Sequence, residues 1–387
     1  MVGKEQAAQA TISSHDIINL DIGDPNIFEP YWRKRSEKCS LVISGSQFLS
    51  YVSDSKNLCW YMEPELEKEI KRLHRVVGNA LVDGYHVVVG NGSTQLLHAA
   101  LYALCPPDDF NPVNVVSVVP YYSNYPELTN FLRSGLYKWG GDARTYNEDG
   151  SYIEFVTSPN NPDGTIREAI VKKGQGKLVH DLAYYWPQYT PITSPLGYDT
   201  MLFTFSKCTG HAGSRIGWAL VKDEVVAKKM IEFISINTIG VSKESQIRAA
   251  KILGHVSGSC LNPGPDNFFE HGQILMAERW EKLREVVGKG GAFSLPQYPE
   301  QHCLFTGKFS TEAHPAFAWM KCNKEGIEDC EKFLRGHKII ARNGRRFGGD
   351  TKYVRVSMVG KEEDFKLFLE RLLAIQGTSN GINHVNP

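Results

Sequence analysis

A lysine and an arginine follow an apolar run in the stretch FTFSKCTGHAGSRIGW, residues 203–218. Lys207 is either an ordinary solvent-facing strand end or an amine held in a dry pocket for chemistry. A neutral amine can attack a carbonyl carbon or accept a proton. Arg215 carries a planar guanidinium group that is suited to a phosphate. The two residues therefore predict either a plain strand end or a reactive amine close to an anion site.

Other polar residues follow or interrupt strand-like runs. After the run YHVVVG, Gly92, Ser93 and Thr94 could cradle a phosphate with the free N–H groups of a helix start. Ser93 or Thr94 could equally be a simple N-cap. Asp181 interrupts the apolar HDLAYY and needs a positively charged or hydrogen-bonding partner. Arg355 in KYVRVSM could bind a carboxylate or be a half-exposed strand arginine.

One cofactor would use a phosphate cradle, a dry lysine, a buried aspartate and two arginines together. Pyridoxal 5′-phosphate (PLP) has an aldehyde, a pyridine nitrogen and a phosphate. Lys207 would form a Schiff base with the aldehyde, and Arg215 would bind the phosphate. Cys208 could be a nucleophile instead, but the sequence shows no His–Asn arrangement that would activate it.

The elements that must position these residues alternate between helix and strand. EPELEKEIKRLHRVVG predicts an amphipathic helix, and YHVVVG, QLLHAALYAL and NVVSVV predict a βαβ unit. YIEFVTS, KLVHDLAYY and TMLFTFSK predict further strands. This order is typical of an α/β fold with a mainly parallel sheet and helices on its faces. Since ligands collect at the carboxyl ends of such strands, we expect the polar residues to share one cleft.

The sequence changes character after residue 267. FFEHGQILMAERWEKLREVV predicts a long helix over 268–287, and KYVRVSM and DFKLFLERLLAI predict a later strand and helix. We therefore expect a large domain over 40–270. A smaller α+β domain would comprise 1–39 and 271–387.

Composition excludes several classes of function. The 387 residues carry 43 Lys plus Arg and 43 Asp plus Glu, so no net charge favours nucleic acid or an anionic membrane. The first residues lack the apolar core of a signal peptide, and no apolar run is long enough to span a membrane. The eight cysteines are scattered without zinc-ligand spacing. We expect a cytoplasmic protein with free thiols and no metal.

The order of several motifs carries a resemblance that spans nearly the whole chain. GST, PYYSNY, SPNNPDG, HDLAYY, TFSKCTGHAGSRIGW and YVRVSM together resemble fold-type I PLP-dependent aminotransferases, most closely the plant tryptophan aminotransferases of the alliinase-like group. The resemblance implies a mostly parallel seven-stranded sheet with a smaller α+β domain, and a homodimer with shared active sites. It also implies transfer of the amino group of L-tryptophan to pyruvate or another 2-oxoacid. The product, indole-3-pyruvate, is the precursor of the auxin indole-3-acetic acid.

The resemblance also assigns roles to individual residues. Lys207 matches the Schiff-base lysine that shuttles the substrate proton, and Asp181 matches the partner of the pyridine nitrogen. Tyr184 and Asn161 match the groups that hydrogen-bond the phenolic oxygen of the cofactor. Tyr122 matches the residue that stacks on the cofactor ring.

The remaining assignments concern the phosphate and the substrate. Arg355 matches the residue that binds the substrate α-carboxylate. Tyr51 matches a tyrosine that reaches the phosphate in the site of the partner subunit. Ser93, Thr94, Thr204 and Arg215 match phosphate ligands, and we also expect Gly92 and Ser206 to bind the cofactor.

Several alternatives stay open at this point. An alliinase-type C–S lyase acting on cysteine sulfoxides would use the same cofactor, and the aminotransferase could accept a broader range of aromatic amino acids. A cofactor-free binding protein on the same scaffold is a third alternative. Phe28, Tyr61, Tyr185 and Trp186 could line an indole pocket or belong to the core.

Overall fold

The computed structural model describes residues 17–106, 111–261, 264 and 266–377. The first 16 residues, which carry the prediction of no signal peptide, lie outside the described residues. So do the outer ends of the predicted small domain, 1–16 and 378–387. In the described ranges, no helix has both the length and the apolar character that a membrane span requires. The cytoplasmic location stays a prediction.

Fifteen strands and ten α-helices make up the described chain. In chain order, the strands are β1 (Ile18–Asn19), β2 (His86–Gly90), β3 (Val113–Ser117), β4 (Tyr137–Asp142), β5 (Ser151–Thr157), β6 (Gln175–Asp181), β7 (Thr200–Thr204), β8 (Gly217–Val221), β9 (Phe293–Ser294), β10 (Gln301–Cys303), β11 (Lys308–Thr311), β12 (Phe317–Cys322), β13 (Ile339–Ile340), β14 (Arg342–Asn343) and β15 (Tyr353–Ser357). The helices are α1 (Glu29–Arg33), α2 (Pro64–Val77), α3 (Gly92–Leu104), α4 (Tyr125–Phe131), α5 (Phe205–Cys208), α6 (Glu224–Thr238), α7 (Lys243–Ser259), α8 (Phe268–Gly288), α9 (Cys330–Gly336) and α10 (Glu362–Gly377).

Seven strands form the large sheet in the order β2-β8-β7-β6-β5-β3-β4. Strand β8 runs antiparallel to both of its neighbours, and the other pairs are parallel. The predicted mostly parallel seven-stranded sheet is therefore confirmed. The predicted βαβ unit exists as β2, α3 and β3, but its strands are not neighbours because four others lie between them.

The amphipathic pattern of α2 buries one face of the helix as predicted. Leu66, Ile70 and Leu73 are fully buried and Val77 is 1% exposed. The helix packs against α7. It ends at Gly78, whose φ of 72° is a left-handed conformation that glycine adopts without a steric penalty.

One predicted strand end differs from the structure in a way that matters for the site. TMLFTFSK was expected to be extended through Lys207, but β7 ends at Thr204 and α5 begins at Phe205. The hydroxyl of Thr204 accepts a hydrogen bond from the backbone N–H of Ser206 at 3.3 Å, which caps the short helix. Lys207 therefore projects from a helical turn at the carboxyl end of β7.

A second sheet, with the order β14-β15-β12-β9, is antiparallel throughout. The N-terminal strand β1 pairs with β13, which lies between α9 and β14 in the chain. The N-terminal segment thus joins the C-terminal part, as the predicted small domain requires. The boundaries at residues 39 and 270 stay predictions.

Candidate active site

A cavity of about 540 Å³ opens where the carboxyl ends of β5, β6 and β7 face the second sheet. It collects residues that lie far apart in the sequence, as expected from the strand-end argument. The predicted site residues that line it are Ser93, Thr94, Tyr122, Asn161, Asp181, Tyr184, Thr204, Ser206, Lys207, Arg215 and Arg355. The described residues contain no group of three or more His, Cys, Asp or Glu side chains that could hold a metal ion.

The amine of Lys207 points into this cavity rather than into bulk solvent. Its Nζ donates a hydrogen bond to the carbonyl oxygen of Gly23. Burial lowers the pKa of Lys207 to about 8, the positive charges of Arg355 and Arg215 act in the same direction, and Asp24 opposes them. The solvent-facing strand-end interpretation is therefore wrong. A substantial neutral fraction near pH 8 makes the amine usable as a base and nucleophile.

The depressed pKa of Lys207 should also be visible in the stability of the cofactor-free protein. Unfolding restores the ordinary pKa near 10.5, so the unfolded chain binds more protons between pH 8 and 10.5 and stability rises with pH across that window. Below pH 8, the full free-energy cost of burying the charged amine remains, and it is at most about 3 kcal/mol. Lys207→Met should therefore be more stable than wild type at pH 7, and the difference should shrink toward pH 10 in urea unfolding. Equal stability at both pH values would contradict this.

Asp181 is the last residue of β6 and lies 5% exposed at the cavity floor. The hydroxyl of Tyr125 donates to its Oδ2 at 2.8 Å, and the backbone N–H of Ala183 donates to its Oδ1 at 3.2 Å. Burial raises the pKa of Asp181, and these two hydrogen bonds oppose that effect. Because both donors are neutral, a cation placed against this carboxylate would be strongly favoured.

Tyr125 is a site residue that the sequence did not reveal. Its hydroxyl donates a hydrogen bond to Asp181 and lies 2.6 Å from Thr157 Oγ1. It belongs to the quoted PYYSNY motif, three residues after Tyr122, but only the folded chain brings it against Asp181.

The predicted anion cradle lies where α3 begins. The N-cap residue is Asn91, so Ser93 and Thr94 lie inside the first turn of the helix and the simple N-cap interpretation is wrong. Gly92 has a φ of 74°, and a Cβ atom on it would lie 2.5 Å from Nη2 of Arg215. Only glycine lets the guanidinium approach this closely. Arg215 itself is left-handed, with a φ of 53°, and its Nη1 donates to Ala212 O at 3.0 Å.

Arg355 of β15 lines the cavity from the side of the second sheet. It is 3% exposed, which excludes the half-exposed strand arginine. Its Nη1 donates to Asn161 Oδ1 at 3.0 Å, and its Nη2 donates to the carbonyl oxygen of Asp21 at 2.6 Å. The guanidinium lies 4.0 Å from the ring centre of Phe317. Among the described residues its buried Nε has no partner.

The electrostatic setting of Arg355 favours an anionic ligand. Burial first, and then the nearby charge of Arg342, lower the pKa of Arg355 to about 10, so positive charge is crowded here. A carboxylate in the cavity would relieve that crowding and accept hydrogen bonds from the guanidinium.

Two tyrosines complete the predicted constellation within one chain. Tyr122 lines the cavity and meets Tyr125 edge to face, with ring centres 5.3 Å apart. Tyr184 is buried against Phe317 in a similar edge contact at 5.6 Å. Their roles toward the ring and the phenolic oxygen of a cofactor stay predictions.

Tyr51 lies outside the cavity of its own chain. Its side chain is 65% exposed and contacts Trp60 edge to face. Its predicted role in the site of a partner subunit is not tested by a single chain and stays a prediction.

The suggested indole-pocket aromatics are all core residues instead. None of the four lines the cavity, and each is at most 3% exposed: Phe28, Tyr61, Tyr185 and Trp186. The apolar lining comes from Ile22, Leu97 and Phe317. Cys208 is fully buried, and burial raises the pKa of its thiol well above the ordinary value, which excludes a thiolate nucleophile. All eight cysteines are free thiols, as predicted.

Comparison with known proteins places the chain in a family. The family model described as "Allinase" matches residues 18–376. The chain belongs to the alliinase family. It is 58% identical to tryptophan aminotransferase-related protein 2 of Arabidopsis thaliana, over 92% of this chain and 81% of the relative. It is 35% identical to alliin lyase of Allium cepa var. aggregatum, over 94% of this chain and 82% of that relative.

A solved structure agrees with the fold of this family member. An aspartate aminotransferase of Thermus thermophilus superimposes with a TM-score of 0.64 at 17% identity, covering 93% of this chain and 92% of the other. The predicted fold-type I class is thereby confirmed. Fold-type I aminotransferases and alliinase-like proteins are PLP-dependent in general, and the chain is a PLP-dependent enzyme of this fold.

The residues present fit this cofactor group by group. Asp181 is a buried carboxylate whose described donors are neutral, as a protonated ring nitrogen requires. The turn at Gly92 with Arg215 offers an anion cradle that a side chain at residue 92 would fill. The amine of Lys207 lines the same cavity.

Proposed function

We propose that this chain is an aminotransferase that moves the amino group of L-tryptophan to pyruvate or another 2-oxoacid and yields indole-3-pyruvate for auxin synthesis. The observation that carries the proposal is that Lys207 and Arg355 line one cavity and both bond to main-chain oxygens of residues 21–23. An amine for proton transfer thus lies beside an arginine for a carboxylate. The 58% identity to a tryptophan aminotransferase-related protein supports the choice of amino donor.

The cofactor would be held by groups from three parts of the chain. Asp181 would bind the ring nitrogen, Tyr122 would pack on the ring, and Ser93, Thr94 and Arg215 would bind the phosphate. When bound, PLP supplies an aldehyde that takes up the amino group and a ring that withdraws electrons from the substrate Cα.

The protein groups would then orient the substrate and move its proton. Arg355 would bind the α-carboxylate with the N–H groups that its contacts with Asn161 and Asp21 leave free, and would fix the direction of the Cα–H bond. Lys207, with its pKa lowered to about 8, would accept the Cα proton as a neutral amine and return it at the other end of the transfer. The carboxylate of Asp181 would keep a proton on the ring nitrogen.

The cavity suits a large aromatic side chain. Its volume of about 540 Å³ lies within the usual range for small-molecule sites. Ile22, Leu97 and Phe317 supply apolar walls, and Ile22 is 58% exposed at the rim.

Steady-state assays of the purified holoenzyme across a panel of amino acids and 2-oxoacids test the proposal. Tryptophan with pyruvate should give indole-3-pyruvate and alanine in equal amounts. Higher kcat/KM for phenylalanine or tyrosine than for tryptophan would show the broader aromatic range. Release of pyruvate from a cysteine sulfoxide without any acceptor would instead show a lyase, the activity in the name of the 35% identical relative.

Arg355→Ala should raise the KM for tryptophan and for the 2-oxoacid by roughly a hundredfold. The variant loses a charge-assisted, two-pronged contact with the α-carboxylate, which is worth about 3 kcal/mol. Arg355→Lys is the matched control, since it keeps the charge without the planar fork. Its KM values should lie between those of wild type and Arg355→Ala. An unchanged KM for both substrates in Arg355→Ala would refute the carboxylate role.

We also propose that two copies of the chain share their active sites. Exposed apolar side chains cluster between residues 41 and 52, where Val42 is 89%, Leu49 85% and Tyr51 65% exposed. Such a patch is typical of a protein–protein interface. The Tyr51 hydroxyl would reach the phosphate held by the other subunit.

Tyr51→Phe should weaken PLP binding about tenfold, because one hydrogen bond to a charged phosphate is lost. Light scattering should give twice the 43.4 kDa chain mass for both wild type and variant. Tyr353→Phe, in the second sheet, is the control and should bind PLP like wild type. A monomer with full PLP affinity would contradict the shared site.

A further inference from the structure

A second arginine lies beside the proposed carboxylate ligand. Arg342 of β14 is directly opposite Arg355 of β15 in the antiparallel ladder, and both line the cavity. Two guanidinium groups this close repel each other unless an acid lies near them. Asp21 supplies that acid: Nε of Arg342 donates to Oδ1 of Asp21, and Nη2 donates to Oδ2 at 3.1 Å.

Asp21 is also in contact with Arg355, but through its main chain. Its carbonyl oxygen accepts the hydrogen bond from Nη2 of Arg355 at 2.6 Å. Two residues later, the carbonyl oxygen of Gly23 accepts from Nζ of Lys207. Residues 21–24 therefore form a segment, here called the strap, that contacts both proposed functional groups.

The strap is anchored at its two ends. Before it, the backbone N–H of Leu20 donates to Ile340 O at 2.8 Å, and Leu20 O accepts from Ser357 N at 2.9 Å. After it, Ile27 N donates to Val359 O at 3.0 Å. In the described ranges, the hydrogen bonds from the strap to other segments are those with Arg342, Arg355 and Lys207.

Arg342 also ties the strap to the loop between β3 and α4. Its Nη1 donates to Ser123 Oγ at 3.0 Å, in the turn that precedes α4. All of its nitrogens are thus engaged. Burial raises the pKa of Asp21, but the hydrogen bond and charge of Arg342 outweigh it, so the pKa is lowered and the carboxylate stays charged. The two side chains are 22% and 31% exposed, so substitution here leaves the core intact.

We propose that Arg342 is a positioning residue for Arg355. By binding the Asp21 carboxylate, it keeps the Asp21 carbonyl oxygen on Nη2 of Arg355 and so fixes the orientation in which Arg355 presents its remaining N–H groups to the substrate carboxylate. Arg342 acts through Asp21 rather than on the substrate, because each of its guanidinium nitrogens already donates to Asp21 or Ser123. This inference rests on the proposed carboxylate-binding role of Arg355.

A double-mutant cycle on the holoenzyme tests the proposal. The variants are Arg342→Gln, Asp21→Asn and the double variant that carries both substitutions. Asp21→Asn removes the side-chain charge but keeps the main-chain oxygen. The readouts are KM and kcat for tryptophan and, by calorimetry, the Kd of indole-3-propionate, which has the carboxylate but no amino group to react. Each single variant and the double variant should raise KM and Kd by about the same factor, roughly tenfold, because the pair acts as one unit. The value of kcat should change much less.

The control is Arg346→Gln. Arg346 lies four residues after Arg342 and forms an exposed ion pair with Glu127 at 3.5 Å, so its variant should match wild type. Should Arg342→Gln prove unstable, Arg342→Lys replaces it, since lysine cannot make the two-pronged contact.

Two results would overturn the positioning role while leaving the proposed function intact. One is a Kd for Arg342→Gln equal to that of wild type. The other is a much larger loss in Arg342→Gln than in Asp21→Asn, which would show that Arg342 binds the carboxylate directly. Failure of wild type itself to bind indole-3-propionate would remove the proposed role of Arg355, and this inference with it.

Discussion

Lys207→Ala should lower the rate of amino transfer by about a thousandfold or more, with tryptophan binding affected far less. The residue is proposed to move the Cα proton, and positioned general acid–base groups contribute about 10²- to 10⁴-fold. Loss of the covalent link to the cofactor adds to that. Single-turnover kinetics of the PLP-reconstituted variant, followed by cofactor absorbance, measures the step directly.

The matched control for this experiment separates charge from proton transfer. Lys207→Arg keeps a positive charge in the cavity but offers no neutral amine near pH 8, so it should be as inactive as the alanine variant. Lys68→Ala removes a lysine whose side chain is 66% exposed and should be fully active. Turnover by Lys207→Arg near the wild-type rate would show that the site needs a charge and not an amine.

Asp181→Asn should reduce kcat by up to about a thousandfold while much of the cofactor stays bound. A carboxylate paired with a protonated nitrogen near 4 Å is worth about 4 kcal/mol at an effective dielectric of 20. The buried position of Asp181, between Tyr125 and Ala183 N–H, leaves room in its hydrogen bonding for a cation and lets asparagine replace it without a volume change. Cofactor content and steady-state rate should be measured on the same preparation.

Tyr125→Phe is the companion variant for Asp181. It removes one neutral hydrogen bond from the carboxylate and should cost about tenfold, much less than Asp181→Asn. If Asp181→Asn turned over near the wild-type rate, the proposed role of the carboxylate at the ring nitrogen would be lost, whatever the result for Tyr125→Phe.

Much of this site could be predicted from the sequence because parallel strands deliver their last residues to one edge. Asp181 ends β6 and Lys207 lies just beyond β7, so apolar runs interrupted by charged residues were sufficient to find both. The same logic found the start of α3 with Ser93 and Thr94. Each signal was local, within about ten residues of the functional group.

The residues that the sequence did not reveal owe their roles to long-range contacts. Arg342 meets Asp21 across 321 positions, and Tyr125 meets Asp181 across 56. Trp186 and Phe28 were aromatic candidates for the pocket, but aromatic residue type alone does not distinguish a cavity wall from a core. Strand β8 runs antiparallel to its neighbours in the sheet, and no local sequence pattern predicts this reversal.

The two sheets contribute different halves of the site: β15 carries Arg355, whereas β6 and the turn after β7 carry Asp181 and Lys207. A substrate that touched all three would link the two sheets. Saturating amino acid should then raise the melting temperature of both sheets together, since a ligand stabilises whatever must stay folded to hold it.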